Sequence, residues 1–230
     1  MIEFDLIVKS LPEMLSGMLL AIQLLGVSLL IGMCIAIPAA ILRLQKNPWL
    51  WRPVDWYIYF FRGTPLMVQL FLVYYGLSQF EFIRESFLWF LFRSPTGCAV
   101  FTFSIHTGAY TANILRGGIE SVPEGEVEAA RAIGMSGFTL YRNILLPKAF
   151  RLALPAYGNE IIGMLKGTSL ASTITMMDLT GVARVMVSRT FAPYEFFITA
   201  AVIYLSVAFI ITRLLQGVEY WLSPHMRPVT

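Results

Sequence analysis

The chain has 230 residues, of which 57% are hydrophobic and only 13% are charged, and its mean hydropathy is +0.68. Since a soluble domain carries about 25% charged residues, this composition excludes an ordinary water-soluble domain and predicts an integral membrane protein. The net charge of +3 gives no indication of a nucleic-acid partner, and the two cysteines, Cys34 and Cys98, are too few for a disulfide framework. Both lie in apolar runs and are expected to be buried free thiols.

Apolar segments long enough to cross a bilayer recur along the chain. A spanning helix needs roughly 20 predominantly apolar residues. Five segments qualify, namely residues 14–42, 56–77, 94–115, 152–177 and 194–215. The residues before the first segment lack the basic region of a cleavable signal. Residues 86–93 are rich in aromatic side chains but too short to cross, so they are expected at the membrane interface. The predicted fold is an all-α integral membrane domain over residues 1–230, with about five transmembrane helices.

The distribution of lysine and arginine predicts the orientation. These residues are more numerous in the loops after the first and third predicted spans and in the C-terminal tail than in the other loops. Short loops rich in lysine and arginine stay in the cytoplasm. The N-terminus is therefore predicted outside and the C-terminus inside, which agrees with an odd number of spans.

A polar block at residues 121–150 interrupts the apolar chain on the predicted cytoplasmic side. Pro123, followed by three glutamates, predicts a helix start. Gly134 predicts its end, Ser136 and Gly137 predict a turn, and Pro147 predicts the end of a second helix. Helical spacing predicts two apolar stripes, composed of Val127, Ala130 and Ile133 and of Phe138, Tyr141 and Leu145. The residues alone leave two interpretations open: a hairpin lying on the membrane, or a helical element that docks in a groove of a cytoplasmic partner.

The same block carries a specific motif. The block resembles the EAA loop of bacterial ABC importer permease subunits. It has the same spacing of Glu128-Ala129-Ala130, Gly134, Ile144 and Leu146-Pro147. Three further segments, "FRGTPLMVQLFLVYYGLSQF" (61–80), "AYTANILRGGIESVPEGEVEAA" (109–130) and "NEIIGMLKGTSLASTIT" (159–175), resemble the polar amino acid subfamily. Within it the likeness is greatest to histidine, arginine/ornithine and opine permeases.

The resemblance implies a function and a set of partners. The chain would form half of a pore in the bacterial inner membrane, paired with a second and usually related but different permease chain. A dimer of ATP-binding subunits would bind ATP and Mg²⁺, so no cofactor is expected on this chain, and a periplasmic binding protein would deliver the amino acid. The coupling residues implied are Glu128, Ala129, Ala130, Arg131, Gly134, Arg142 and Pro147. Glu128 is expected to fix the loop through nearby backbone or basic groups, whereas Glu124, Glu126, Arg131 and Arg142 are expected to face the ATPase or solvent.

Ionisable side chains inside predicted spans are the first candidates for substrate binding, because they are costly in a bilayer and mark function. Glu160 is interpreted as a pore-facing acid for a cationic substrate, with a buried structural role as the alternative. Lys166 lies six residues further on, roughly 600° around the helix, so the two are not expected to form an ion pair. For Lys166 the alternative is that its ammonium group reaches the membrane interface.

The other candidates are Arg62, Thr64, His106 and Asn113. Thr64 and Pro65 predict a helix that begins or restarts there, and Arg62 would meet either a substrate carboxylate or lipid head groups. His106 is either a hydrogen-bonded structural residue or a ligand. The resembled family more commonly has Asn at position 106 and Glu at position 113, so substrate preference is expected to differ, or this subunit's site to be weaker than its partner's.

Two other classes of protein are disfavoured. "GMSG" (134–137) matches the GxSG motif of rhomboid proteases, whose serine must lie in an apolar helix next to a histidine. Ser136 instead lies in a polar turn, and His106 belongs to a separate predicted span. The chain also has neither an HExxH motif nor a phosphate-binding GxxxxGK[ST] motif. The chain is therefore predicted not to be an enzyme. A self-sufficient secondary transporter usually has an internal repeat, and its absence here favours half of a pore.

Overall fold

The computed structural model describes residues 4–222. The helices of the first half are α1 (Phe4–Arg43), α2 (Pro48–Gly63), α3 (Leu66–Phe71), α4 (Glu81–Arg84), α5 (Trp89–Phe92) and α6 (Pro95–Glu120). The second half holds α7 (Glu124–Ala132), α8 (Gly137–Leu140), α9 (Leu146–Gly167), α10 (Leu179–Thr190) and α11 (Pro193–Leu222). No strand occurs among the described residues, and the prediction of an all-α fold is confirmed.

Two of these helices are long and apolar enough to cross a membrane, at Asp5–Arg43 and Pro193–Leu222. A third crossing is formed if the bent pair Gly137–Ile174 and Leu179–Thr190, with 48° between its parts, counts as one span. The five-span count and the orientation stay predictions. Large apolar side chains such as Leu19, Leu30 and Leu205 point outward from these helices, as hydrocarbon surroundings require.

Helix α6 lies at the centre of the bundle, against α1 and α9. Its buried positions are mostly small or hydroxyl-bearing, and they include Thr102, Thr107 and Thr111. Such residues allow close helix packing within a membrane protein. Because protein rather than lipid covers α6, it does not need the high hydropathy of α1 and α11.

The close contact of α1 and α6 depends on Gly32. A Cβ atom at this position would lie 2.5 Å from Thr107 Cγ2 and 3.2 Å from the backbone nitrogen of Gly108. Gly26, on the same helix, has no atom within 4 Å of the corresponding point. Gly32 is therefore required by packing and Gly26 is not.

We expect Gly32→Ala to lower the free energy of unfolding, because overpacking costs roughly 1–3 kcal/mol. The matched Gly26→Ala change should be neutral or stabilising by up to about 1 kcal/mol, since alanine favours helix where nothing is in the way. Thermal unfolding of both variants in the same detergent measures the difference. Equal midpoints for the two variants would contradict close packing of α1 on α6.

The predicted restart at Thr64-Pro65 is found. The second predicted segment is two helices, because Thr64 and Pro65 adopt extended ψ values of 146° and 132°; a proline lacks the N–H that would continue α2 and disfavours a helical residue before it. Two other sequence predictions need correction. The fourth predicted span, 152–177, corresponds to α9, which begins at Leu146 and ends at Gly167. A 3₁₀ stretch, Thr168–Ile174, follows it. Cys98 is buried, but Cys34 is exposed on α1.

Pro147 does not end the second helix of the polar block. The chain stays helical from Gly137 to Gly167 by way of a π-helical turn at Tyr141–Leu145. In that turn the Leu146 N–H bonds to the carbonyl of Tyr141, one residue further back than in an α-helix. Since a proline interrupts the regular hydrogen-bond ladder, the wider turn directly before it allows the helix to continue.

Candidate functional site

At the break between α2 and α3, the buried side-chain amide of Gln69 on α3 binds backbone carbonyl groups at the end of α2. Its Nε2 atom lies 2.9 Å from the carbonyl oxygen of Phe61 and 3.0 Å from that of Thr64. These carbonyls belong to the last turn of α2, where no further helical N–H follows. Thr64 donates its hydroxyl back to the Phe60 carbonyl at 2.8 Å. Thr64 therefore caps the end of α2, and it does not cap the start of α3 as the sequence had indicated.

Gln69 also connects this break to α6. Its Oε1 atom lies 3.0 Å from Nδ1 of His106. The His106 ring packs against Tyr110, with ring centroids 4.9 Å apart. The guanidinium of Arg62 lies over the Tyr110 ring, 5.2 Å from its centroid. Three of the predicted candidates, Arg62, Thr64 and His106, are thus brought into one cluster.

Glu160 on α9 adjoins this cluster. Its Oε1 atom accepts a hydrogen bond of 2.9 Å from Thr107 Oγ1, next to His106 on α6. Arg62 is close enough to Glu160 to interact with it electrostatically. A carboxylate and a guanidinium therefore lie near one another, with a histidine and a tyrosine beside them. We refer to Arg62, Thr64, Gln69, His106, Tyr110 and Glu160 as the polar cluster.

An open cleft of about 990 Å³ follows α2 beside this cluster. Arg62 and Thr64 line it, together with Arg43 and Asp55. Its volume lies within the range of sites that hold small molecules. The cleft meets the polar cluster at Arg62 and Thr64, whereas His106 and Glu160 do not line it.

Two predicted candidates lie outside the polar cluster. Asn113 accepts a hydrogen bond of 3.0 Å from Arg43 Nη1, and the Arg43 guanidinium also pairs with Asp55. These three residues join α1, α2 and α6. Lys166 is exposed at the end of α9, and its ammonium group makes no hydrogen bond or ion pair with residues 4–222. In agreement with the sequence, it does not pair with Glu160.

We expect Asp55→Asn to destabilise the fold by roughly 1–3 kcal/mol, because Asp55 is the only carboxylate within residues 4–222 that pairs with the Arg43 side chain, which is 11% exposed. Glu120→Gln is the matched control, since Glu120 pairs with Arg116 at the surface, and such pairs contribute about 0–1 kcal/mol. Denaturation of both variants in one detergent checks this. An equally small effect of the two changes would contradict a structural role for the Arg43 cluster.

The polar block forms a hairpin, which we call the 124–147 hairpin. Helix α7 ends at Ala132. Gly134, with a φ of +86°, then reverses the chain, and Gly137 follows with a φ of +49°. Ala130, Leu140 and Leu145 are buried in the nearby core cluster, so the hairpin is anchored to the bundle. Ala130 occupies a position where a larger side chain would not fit without moving this core.

The outer surface of the hairpin is formed by the other predicted coupling residues. Exposed residues are Glu128, Ala129, Arg131, Gly134, Arg142 and Pro147. Ile133 and Phe138 flank the turn, with exposed fractions of 74% and 76%. Each belongs to one of the two predicted apolar stripes, at the end where the glycine turn directs the stripe away from the bundle.

The contact that stabilises the hairpin differs from the predicted one. Glu128 makes no side-chain hydrogen bond or ion pair with residues 4–222. Instead Glu126, which had been expected to face solvent or the ATPase, pairs with Lys148. Since Glu126 is at the start of α7 and Lys148 is on α9, directly after the hairpin, this pair connects the first arm of the hairpin to α9.

Sequence reasoning missed Gln69, Tyr110 and Thr107. Gln69 carried a usable signal, because it is the one amide in the otherwise apolar α3 and a buried amide requires partners. Tyr110 and Thr107 carried little signal, since hydroxyl-bearing residues are frequent throughout α6. Among the described residues, no three His, Cys, Asp or Glu side chains gather where a metal ion could bind.

The helical fold, the outward apolar surface and the polar groups inside define an integral membrane transport subunit. The family comparison specifies it further: the chain belongs to the family described as binding-protein-dependent transport system inner membrane component, whose model matches residues 28–227. It is a permease subunit of an ABC importer for amino acids or opines, and this confirms the resemblance. Its function is transport rather than catalysis.

Individual relatives agree with this. The chain is 47% identical over 226 residues to the nopaline transport system permease protein NocM of Agrobacterium fabrum, covering 98% of this chain and 94% of the relative. It is 42% identical to the histidine/lysine/arginine/ornithine transport system permease protein HisM of Escherichia coli, covering 93% and 90%.

Solved structures share the fold. The chain is similar to an amino acid ABC transporter crystallised with histidines, with a TM-score of 0.84, 32% identity and coverage of 95% of this chain and 98% of that one. The inward-facing methionine transporter MetNI has a TM-score of 0.74 at 16% identity, with coverage of 93% and 98%. The second likeness shows the fold alone.

Proposed function

We propose that this chain forms half of a translocation pathway for amino acids or opines that carry a cationic group, such as arginine, histidine, ornithine, lysine or a guanidino opine. The observation that carries the proposal is the polar cluster, in which Thr107 holds the Glu160 carboxylate at 2.9 Å and the Arg62 guanidinium lies over the Tyr110 ring on the same helix. An amino acid of this class has a carboxylate at one end and a cation at the other. Arg62 suits the carboxylate, because a guanidinium binds it with two hydrogen bonds, and Glu160 suits the cation.

Asn113 and Lys166 take secondary places in this proposal. Asn113 is engaged with Arg43, so it acts on the site through α1 and α2. Lys166 lies roughly 9 Å further along α9 than Glu160, by helix rise. It is positioned to meet a substrate at another stage of passage or an anionic group at the membrane interface.

The energy source in this proposal is a separate dimer of ATP-binding subunits, which binds ATP and Mg²⁺ and receives the 124–147 hairpin. The exposed apolar residues Ile133 and Phe138 suit insertion into a groove. The exposed charges Glu128, Arg131 and Arg142 suit polar contacts around it. The second half of the pore is a related but different permease chain, and a periplasmic binding protein delivers the substrate.

Reconstitution tests this function. The chain is co-purified with its companion subunits, placed in liposomes with ATP inside and supplied with binding protein outside. We expect uptake of basic amino acids or guanidino opines and little uptake of alanine or glutamate. Uptake by this chain alone, without an ATPase, would instead indicate a secondary transporter, and a preference for neutral or acidic substrates would contradict the assignment of Glu160.

A further inference from the structure

The orientation of the Gln69 amide is determined by its surroundings. One of its two terminal atoms lies 2.9 Å from the Phe61 carbonyl oxygen and 3.0 Å from the Thr64 carbonyl oxygen. A carbonyl oxygen can only accept a hydrogen bond, so this terminal atom must be the nitrogen. The Thr64 hydroxyl, 2.8 Å from the same nitrogen, also accepts, because it donates its own hydrogen to Phe60.

The oxygen of the same amide then determines the state of His106. Oε1 of Gln69 lies 3.0 Å from Nδ1 of His106, and an amide oxygen has no hydrogen to donate. Nδ1 must therefore carry the hydrogen. In the neutral ring, Nε2 is then an acceptor, and it makes no hydrogen bond with residues 4–222.

We propose that Gln69 is a positioning residue that holds His106 as the Nδ1–H tautomer, so that Nε2 accepts a hydrogen bond from the cationic end of the transported substrate. The tautomer follows from the hydrogen-bond geometry alone, whereas the substrate contact rests on the proposed function. The surroundings favour a donor of this kind. Thr107, the neighbour of His106, holds Glu160 at 2.9 Å, so an acceptor nitrogen and a carboxylate lie on the same part of α6 and α9.

The arrangement distinguishes between substrates. An ammonium or guanidinium group has several N–H donors and can offer them to Nε2 and to Glu160, whereas an apolar side chain would leave Nε2 without a partner and the Glu160 charge with the Thr107 hydroxyl alone. Acceptors that lose water without gaining a donor are unfavourable. Gln69 thus contributes to specificity through His106, without itself needing to touch the substrate.

Nitrogen NMR tests the tautomer directly, because the chain contains only two histidines, His106 and His225. The full chain, with a histidine-free affinity tag and ¹⁵N-labelled histidine, is placed in lipid nanodiscs at pH 8, above the ordinary histidine pKa of about 6.5. His225→Gln assigns the signals. We expect the hydrogen of His106 on Nδ1, with Nε2 showing the shift of a nitrogen without hydrogen; a hydrogen on Nε2 would overturn the proposal.

Two substitutions test the substrate contact in the reconstituted importer. In His106→Asn, the amide nitrogen can occupy the place of Nδ1 and keep the bond to Gln69, but no acceptor remains at the place of Nε2. We expect the KM for the basic substrate to rise roughly tenfold with little change in kcat, as for loss of one hydrogen bond to a charged group. A structural role alone predicts an unchanged KM, and that result would overturn the substrate contact.

Gln69→Leu is the complementary variant, in which His106 should populate both tautomers and the KM should rise by a similar factor. If this variant does not fold, the wild-type spectrum and His106→Asn still decide the matter. Failure of the proposed function is distinguishable, because it would appear as no uptake of basic substrates by the wild-type importer, whatever the tautomer.

Discussion

Replacing Gly134 with valine is expected to abolish substrate-stimulated ATP hydrolysis and uptake, while the chain still enters the membrane. Gly134 has a φ of +86°, which a β-branched residue adopts only at a cost of roughly 1–2 kcal/mol or more. A Cβ atom at this position would meet nothing within 4 Å. The effect would therefore come from the backbone of the turn, which sets the direction of the exposed Ile133 and Phe138, and not from a steric clash.

Gly125→Ala is the matched control for this change. Gly125 lies in the first turn of α7, is exposed and has no atom within 4 Å of its Cβ position. Substrate-stimulated ATPase activity and co-purification of the ATP-binding subunit are measured for both variants. We expect Gly125→Ala to behave as wild type and Gly134→Val to lose at least tenfold in stimulated activity. If Gly134→Val remained fully coupled, the geometry of the turn would be irrelevant to energy transfer.

Glu160→Gln is expected to reduce uptake of a cationic substrate by roughly 10- to 100-fold. The glutamine keeps an oxygen that accepts from Thr107 Oγ1, now 2.9 Å from Glu160, so local structure is retained while the negative charge is lost. A hydrogen bond to a charged group contributes about 1.5–3 kcal/mol, and each 1.4 kcal/mol is a factor of about ten. The loss should appear chiefly for substrates with a cationic side chain.

Glu13→Gln controls for loss of an acid as such, because Glu13 is exposed on α1 and does not belong to the polar cluster. Uptake of a basic amino acid is measured for wild type and both variants at saturating binding protein. An equal rate for Glu160→Gln and wild type would remove Glu160 from the substrate path. An equal loss in both variants would point to an effect of charge on the complex as a whole.

Much of the fold could be predicted from the sequence because its determinants are local. The apolar run from residue 14 to 42 and the glycine at position 134 each depend on their own neighbourhood, and a helix and a turn are found there. The interruption at Thr64-Pro65 was predicted as a restart for the same reason. The prediction that a helix ends at Pro147 was wrong. A proline usually ends a helix, and the π-helical turn that compensates for it has no clear signal in the sequence.

The site was harder to predict because it depends on contacts between distant segments. Gln69 and His106 are 37 residues apart, and Thr107 and Glu160 are 53 apart. No periodicity within one helix indicates which faces meet. The pairing of Asn113 with Arg43 and of Glu126 with Lys148 could not be predicted for the same reason.

Site-specific photo-crosslinking from the hairpin tests the central claim most directly. A photoreactive amino acid replaces Phe138, which is 76% exposed beside the glycine turn, in cells that carry out ATP-dependent uptake. We predict that irradiation joins this chain to the ATP-binding subunit in high yield. Crosslinks only to lipid or to this chain itself, in cells where substrate accumulation continues, would contradict the account.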